Sequence, residues 1–277
     1  MIKKIVTKHP VIVYYIACLL LWVIFGLTNM ALFPTSFNYE LVFPQWAPAF
    51  AAFIVVGISG GKTGILGLLQ KVSIKKSSIK WGLASVVIPV VCCVIAYIGI
   101  MYTEFGQCTM PTFTRSIGIY AICFLATLFG SYGEEIGWRG FMLPQLNKKH
   151  SLLMSSVIVG MSWGLWHINI GRFGLIAFGL FILGLTCISL LISWLCSKTK
   201  NNIFVAIMFH TIMNFCTLLL FENVLSDFSQ MQTGAHIADM HLYTILYGMY
   251  LIVFAIPCIF IVKNMSGKKT KTKNEYL

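Results

Sequence analysis

Charged side chains are scarce in this sequence: they make up 10% of its 277 residues, and only 8 residues are acidic. Apolar residues make up 58% of the chain. Soluble domains carry about 25% charged residues, which they need to cover a surface exposed to water. This composition therefore excludes an ordinary soluble protein and indicates a membrane protein.

Signatures of several common enzyme classes are also missing. The nine cysteines lie mostly within apolar runs and show no metal-ligand spacing. The helical His-Glu-x-x-His pattern of zinc proteases is absent, and Ser131 has no nucleophile motif around it. No internal repeat, long linker or second domain is apparent. We therefore expect one integral membrane domain over 1–277, without a serine or cysteine nucleophile.

Apolar stretches that are long enough to cross a bilayer recur along the whole chain. About 20 residues in a helix cover the hydrocarbon core of a bilayer. The first stretch is longer than the apolar core of a signal peptide, so we expect it to be retained. The pattern predicts an all-α, polytopic bundle of about eight spans, at 11–33, 43–60, 81–102, 116–143, 151–169, 173–196, 202–221 and 241–263.

Basic residues are unevenly divided between the two predicted faces of the membrane. Seventeen of the 20 basic residues fall on the face that carries both termini. The positive-inside rule therefore predicts that both termini are cytoplasmic, in a multi-pass protein of the cell membrane. The acidic residues on the opposite face are Glu40, Glu104, Glu222, Asp227 and Asp239. This topology explains the net charge of +12, and we expect a lipid bilayer rather than nucleic acid as the partner.

The fourth predicted span contains three ionisable residues, Glu134, Glu135 and Arg139. A charge in the middle of a bilayer costs about 2.5–3.5 kcal/mol, so such residues indicate function and need partners. Glu135 and Arg139 are four residues apart and are predicted to form an ion pair. Because neighbouring helical residues point about 100° apart, Glu134 is free to face a cavity inside the bundle.

Two later spans carry pairs of polar or aromatic residues with the same spacing of four. Trp163 shares a helix face with His167, and His210 shares one with Asn214. A glutamate and a histidine can hold and deprotonate water, while a second histidine and an amide can donate to an oxyanion. These residue types suit peptide-bond hydrolysis. The region 116–221 is the predicted core that carries the site.

Metal binding is the alternative chemistry for these residues, because catalytic zinc takes histidine and glutamate ligands. Asparagine is a poor zinc ligand but a good amide donor. We therefore predict a site without metal or other cofactor, and keep zinc as the less favoured alternative.

The three motifs resemble those of the CAAX protease and bacteriocin-processing family, the glutamate-type intramembrane proteases related to the eukaryotic prenyl protein endopeptidase. The resemblance covers roughly 131–214. It implies that Glu134 activates water, that His167 helps to hold this water, and that His210 and Asn214 form the oxyanion hole. Glu135 and Arg139 would support the site. One departure is Trp163, where the family motif usually has phenylalanine.

The resemblance implies an endopeptidase that cleaves a membrane-associated peptide or protein. The lysine-rich, compact chain is typical of a bacterial protein, for which peptide maturation, bacteriocin self-immunity or processing of a membrane regulator are the expected roles. A non-catalytic membrane scaffold or regulator is the alternative. A proton-coupled transporter is a third hypothesis, but it predicts repeated halves, which this sequence lacks. No particular oligomeric state is predicted.

Overall fold

The computed structural model describes residues 1–32, 43–73, 79–222 and 240–266, and the described residues are helical apart from turns and short connections. A π-helical segment lies at Ile136–Met142, and 3₁₀ turns lie at Pro44–Trp46 and Ile168–Phe173. The helices are α1 (Ile2–Lys8), α2 (Pro10–Leu32), α3 (Ala47–Gln70), α4 (Ile79–Phe105), α5 (Ile117–Glu135), α6 (Leu143–Asn147), α7 (Leu152–Trp166), α8 (Leu175–Lys198), α9 (Phe204–Phe221) and α10 (Met240–Ser266).

The predicted membrane bundle is confirmed, with one helix shorter than expected. Within the described ranges, seven helical stretches are long and apolar enough to cross a membrane. The remaining predicted span, at 151–169, corresponds to α7, which has 15 residues. At a rise of 1.5 Å per residue it is about 22 Å long, which is less than the roughly 30 Å of a hydrocarbon core. Helix α7 is therefore a short helix inside the bundle.

Some charged residues that enter the topology prediction lie outside the described residues, namely Lys75, Lys76, Lys268, Lys269, Lys271, Lys273, Glu40, Asp227 and Asp239. The cytoplasmic placement of both termini stays a prediction.

Helix α3 extends ten residues beyond the predicted end of its span. The interruption at the predicted end is a kink at Gly61, whose φ is 59° and ψ is −152°. Only glycine adopts such angles readily, because it has no Cβ. The helix resumes after Gly61 and ends at Gln70, next to the π-helical segment.

The π-helical segment is held by a lysine that follows α3. Lys71 donates from Nζ to the backbone carbonyl of Gly140 at 2.9 Å. Burial of the ammonium group lowers the pKa of Lys71, and the nearby charge of Lys148 lowers it further. The backbone of Lys71 makes a further contact: Ile203 N donates to Lys71 O at 3.0 Å. This bond joins the start of α9 to the end of α3. The end of α3 thus fixes both the widened turn after Glu135 and the start of α9.

Helix α9 begins below the surface of the bundle. Thr199, Asn202 and Ile203, in the connection that precedes it, are all buried. Asn202 accepts from the backbone N–H of Phe204 at 2.9 Å and so caps the first turn. His210 lies only six residues into α9, and the buried start of the helix brings it to the depth of Glu134 despite its nearness to the loop.

Helices α7 and α8 pack closely because of two glycines on α7. A Cβ added to Gly160 would lie 2.6 Å from the Cα of Thr186, and one added to Gly164 would lie 2.9 Å from the Cα of Ile182. Small residues four apart allow the backbones of membrane helices to approach in this way. This contact fixes the position of Trp163, which lies between the two glycines.

The variant Gly160→Ala is expected to lose about 1–3 kcal/mol of stability, because the added methyl group meets the backbone of α8. The matched control is Gly179→Ala in α8, where no described heavy atom lies within 4 Å of the added Cβ. This control should be as stable as the wild type or slightly more stable. Unfolding in detergent micelles measures the difference, and equal stability of the two variants would contradict the predicted contact.

A polar cluster joins the N-terminal end of α5 to the C-terminal end of α9. Glu222 accepts from Arg115 Nε at 2.6 Å and from Thr114 at 2.9 Å through Oε1, and from the Tyr120 hydroxyl at 2.6 Å through Oε2. Burial opposes ionisation of this carboxyl, but the three hydrogen bonds outweigh burial and lower the pKa of Glu222 below its ordinary value of 4.5.

This lowered pKa predicts that the cluster stabilises the fold at neutral but not at acid pH. The contribution is complete above the unfolded-state pKa and is lost as the pH falls through the folded-state value. The melting temperature of the wild type should therefore exceed that of Glu222→Gln at pH 7, and the gap should close on acidification. A gap that is constant with pH in a detergent unfolding series would refute this role of the carboxylate.

Candidate active site

Trp163 is the centre of the cluster that the three motifs form. Its indole N–H donates to Glu134 Oε2 at 2.6 Å. The guanidinium carbon of Arg139 lies 4.5 Å from the centroid of the same ring, and the His210 ring packs edge-on at 5.0 Å. Trp163 and Glu134 are both 1% exposed. One side chain of α7 thus contacts residues from α5, the π-helical segment and α9.

Glu135 connects two motifs. Its Oε1 accepts from Arg139 Nη1 at 2.7 Å, as the spacing of four predicts. The same oxygen lies 3.0 Å from Nδ1 of His210 on α9. All three side chains are buried. The contact with Nδ1 fixes the orientation of the His210 ring and leaves its Nε2 for another partner.

His167 lies just after the end of α7 rather than inside it. The helix ends at Trp166, and the backbone of His167 has φ −82° and ψ 44°. The Nδ1 atom of His167 is nevertheless 2.9 Å from the carbonyl oxygen of Trp163, four residues earlier. The ring also packs edge-on against Phe181 of α8, at 5.3 Å between centroids. These two contacts hold the imidazole at the wall of a cavity inside the bundle.

The central cavity has a volume of about 190 Å³ and lies between α7, α8, α9 and α10. Three of the four predicted catalytic residues line it: His167, His210 and Asn214. The Asn214 amide makes no hydrogen bond to another described residue, so its N–H groups can serve a ligand. Most of the remaining wall is apolar or aromatic, which suits an apolar segment of a peptide.

Glu134 is not among the residues that line the central cavity, and its role as the catalytic base stays a prediction. Its carboxylate accepts from the indole N–H of Trp163, and this indole also forms part of the cavity wall. The indole N–H holds the Glu134 carboxylate in this position, because it gives a buried carboxylate a hydrogen-bond partner within the bundle.

Sequence reasoning missed several residues of the site. The N–H group distinguishes Trp163 from the phenylalanine usual at this place, and it carries the contact with Glu134. Tyr243, Tyr247 and Tyr250 of α10 line the cavity, and their spacing of four and three residues is a sequence signal that they share one helix face. Lys71 could not be found from the sequence, because its partner is a backbone carbonyl.

No three His, Cys, Asp or Glu side chains within the described ranges are placed to hold a metal ion together. The metal-free site stays a prediction.

The fold and the cluster define a class: a multi-pass helical membrane protein with glutamate and histidine side chains buried in its core. Residues 115–216 match the family described as Type II CAAX prenyl endopeptidase Rce1-like. The match includes all three motifs and agrees with the family resemblance that these motifs predict.

Two curated relatives are similar to this chain. CAAX prenyl protease 2 of Methanococcus maripaludis is 31% identical over 133 residues, which are 44% of this chain and 48% of the relative. Lysostaphin resistance protein A of Staphylococcus haemolyticus is 24% identical over 224 residues, which are 80% of this chain and 59% of the relative. The chain thus spans about half the length of the curated relatives that it matches.

Proposed function

We propose that this protein is an intramembrane endopeptidase that hydrolyses peptide bonds of a membrane-associated peptide or protein with water activated by Glu134. The observation that carries the proposal is the convergence of the three motifs on Trp163, next to a cavity lined by His167, His210 and Asn214. The family match over the same residues supports it.

In the proposed mechanism, Glu134 accepts a proton from water as this water attacks the peptide carbonyl. His167 holds the water from the cavity side. The Trp163 indole forms part of the cavity wall and donates to Glu134, so the attacking water must reach the carboxylate beside this ring. Charge then develops on the carbonyl oxygen, and pre-positioned donors stabilise it there. The carbon–nitrogen bond then breaks, and the protonated Glu134 gives its proton to the leaving amine.

His210 and Asn214 are the proposed donors to this oxyanion. Glu135 contacts Nδ1 of His210, which orients the ring and leaves Nε2 as the proposed donor to the oxyanion. Arg139 holds the Glu135 carboxylate in place. These two residues support the site without touching the substrate.

The proposed substrates are peptides in or at the plasma membrane of a bacterium, with peptide maturation or bacteriocin self-immunity as the role. The names of the two relatives refer to a prenyl protease and to lysostaphin resistance, and both fit a peptide substrate at a membrane. One observation favours a second candidate, a non-catalytic membrane scaffold or regulator: the Glu134 carboxylate is already paired with Trp163 and lies outside the cavity.

Purified protein in liposomes, incubated with membrane peptides in ¹⁸O-labelled water, distinguishes the two candidates. The endopeptidase should release two fragments, with label in the new carboxyl group. No cleavage of any peptide, together with a cellular phenotype that survives Glu134→Ala, would favour the scaffold. Zinc that copurifies in stoichiometric amount and is lost together with activity would overturn the metal-free mechanism.

Replacing Asn214 by leucine is expected to lower kcat by about 10²–10³-fold, the usual effect of removing one oxyanion donor. The side chain makes no hydrogen bond within the described residues, so its loss should leave the fold intact. Thr217→Val, one turn further along the same cavity wall, is the matched control and should retain activity. An Asn214→Leu variant with unchanged kcat would remove the amide from the mechanism.

A further inference from the structure

A second, apolar groove lies on the outside of the bundle between α4 and α10. It encloses about 390 Å³, and its lining side chains carry no charge. Val91 is 48% exposed and Phe260 is 73% exposed, so the groove opens toward the surrounding membrane. The lining includes Val87, Val91, Ile95, Val253, Ile256 and Phe260. In a bilayer such a surface is in contact with lipid chains.

Two lysines and two tryptophans stand beyond one end of this groove. Lys80 and Trp81 precede the first groove residues of α4 by seven positions, which places them on the same helix face, about 10 Å further along the axis. The Trp81 ring packs edge-on against Trp194 of α8, at 5.5 Å. The ammonium groups of Lys80 and Lys198 lie over the two rings, at 5.1 Å and 5.5 Å from their centroids.

Trp194 of α8 lies about as far beyond the groove as Trp81 of α4 does. Cys258, which follows the groove residue Pro257, donates from Sγ to the carbonyl of Cys187 at 3.2 Å. Trp194 is seven residues beyond Cys187, again about 10 Å along the axis. The Trp81–Trp194 pair and its two lysines thus lie at one level, at the end of the groove where α4 begins.

We propose that this surface binds one anionic phospholipid, with an acyl chain in the α4–α10 groove and the phosphate between Lys80 and Lys198. Tryptophan rings sit at the level of lipid headgroups, and basic residues between membrane helices bind phospholipid headgroups. The two ammonium groups supply charge complementarity to a phosphate, and the groove supplies the contact for the chain. This site is separate from the central cavity and does not depend on hydrolysis.

Native mass spectrometry of the full chain in detergent tests the site, with phosphatidylglycerol and phosphatidylcholine of identical acyl chains as probes. The wild type should bind one phosphatidylglycerol at least about tenfold more tightly than phosphatidylcholine, a difference of about 1.4 kcal/mol. The double variant Lys80→Gln/Lys198→Gln should lose this preference. The matched control Lys62→Gln/Lys149→Gln removes the same charge elsewhere and should keep it.

The variant Val91→Trp fills the groove and should weaken binding of both lipids about tenfold, while leaving the lysines in place. Inorganic phosphate at the same concentration should not compete, because it has no chain to place in the groove. Equal affinity for the two lipids in the wild type would overturn the proposal. So would a control pair that lowers the preference as much as the Lys80/Lys198 pair, unchanged binding in Val91→Trp, or competition by phosphate.

Discussion

Replacing Glu134 by glutamine is expected to lower kcat for peptide hydrolysis by about 10²–10⁴-fold, the range over which general acid–base catalysis contributes. Glutamine has nearly the same shape as glutamate, and its amide oxygen can still accept the indole N–H of Trp163, which Glu134 accepts at 2.6 Å. The fold should therefore survive while the base is lost. The measurement is kcat on a membrane peptide in liposomes, with the unfolding temperature as a check on folding.

The control for this experiment is Trp163→Phe, which deletes the N–H but keeps an aromatic ring beside Arg139 and His210. Phenylalanine is the residue that the second motif usually carries, so this variant should retain hydrolysis. Together the two variants separate the carboxylate from the hydrogen bond that it accepts. Undiminished cleavage by a well-folded Glu134→Gln protein would disprove the proposed mechanism.

The helices were predictable because the length of an apolar run depends on bilayer thickness and helical rise alone. Seven of the eight predicted spans correspond to helical stretches that are long enough to cross a membrane. The prediction fails where backbone geometry departs from a simple helix. The kink at Gly61 needs backbone angles that glycine adopts readily, and the π-helical segment at Ile136–Met142 depends on tertiary contacts. The bond from Lys71 to Gly140 is one such contact, between residues 69 positions apart.

The contacts of the site that lie within one helix were predictable from helix geometry. The ion pair of Glu135 with Arg139 follows from a spacing of four on one helix. The contact of Glu135 with His210 joins residues 75 positions apart, and no local pattern contains it. The contact of Trp163 with both Glu134 and the cavity depends on the close approach of α7 to α8 at Gly160 and on the indole N–H.

Replacing Glu135 by alanine is expected to destabilise the protein by about 3–5 kcal/mol, because it leaves the buried Arg139 charge without its partner. The Arg139 Nε and Nη2 atoms already lack a hydrogen-bond partner among the described residues, so few groups could compensate. Thermal or denaturant unfolding in micelles measures this loss. Stability equal to that of the wild type would show that Arg139 finds another partner.

The double variant Glu135→Met/Arg139→Met distinguishes the contribution of this ion pair to stability from its contribution to hydrolysis. Both charges are removed together, and apolar side chains of similar length replace them, so most of the lost stability should return. Hydrolysis should not return, because His210 then lacks the carboxylate that contacts its Nδ1 at 3.0 Å. A double variant no more stable than Glu135→Ala would contradict the buried-charge argument. A stable double variant with full activity would show instead that His210 needs no contact with Glu135. Glu135 would then contribute to stability and not to hydrolysis.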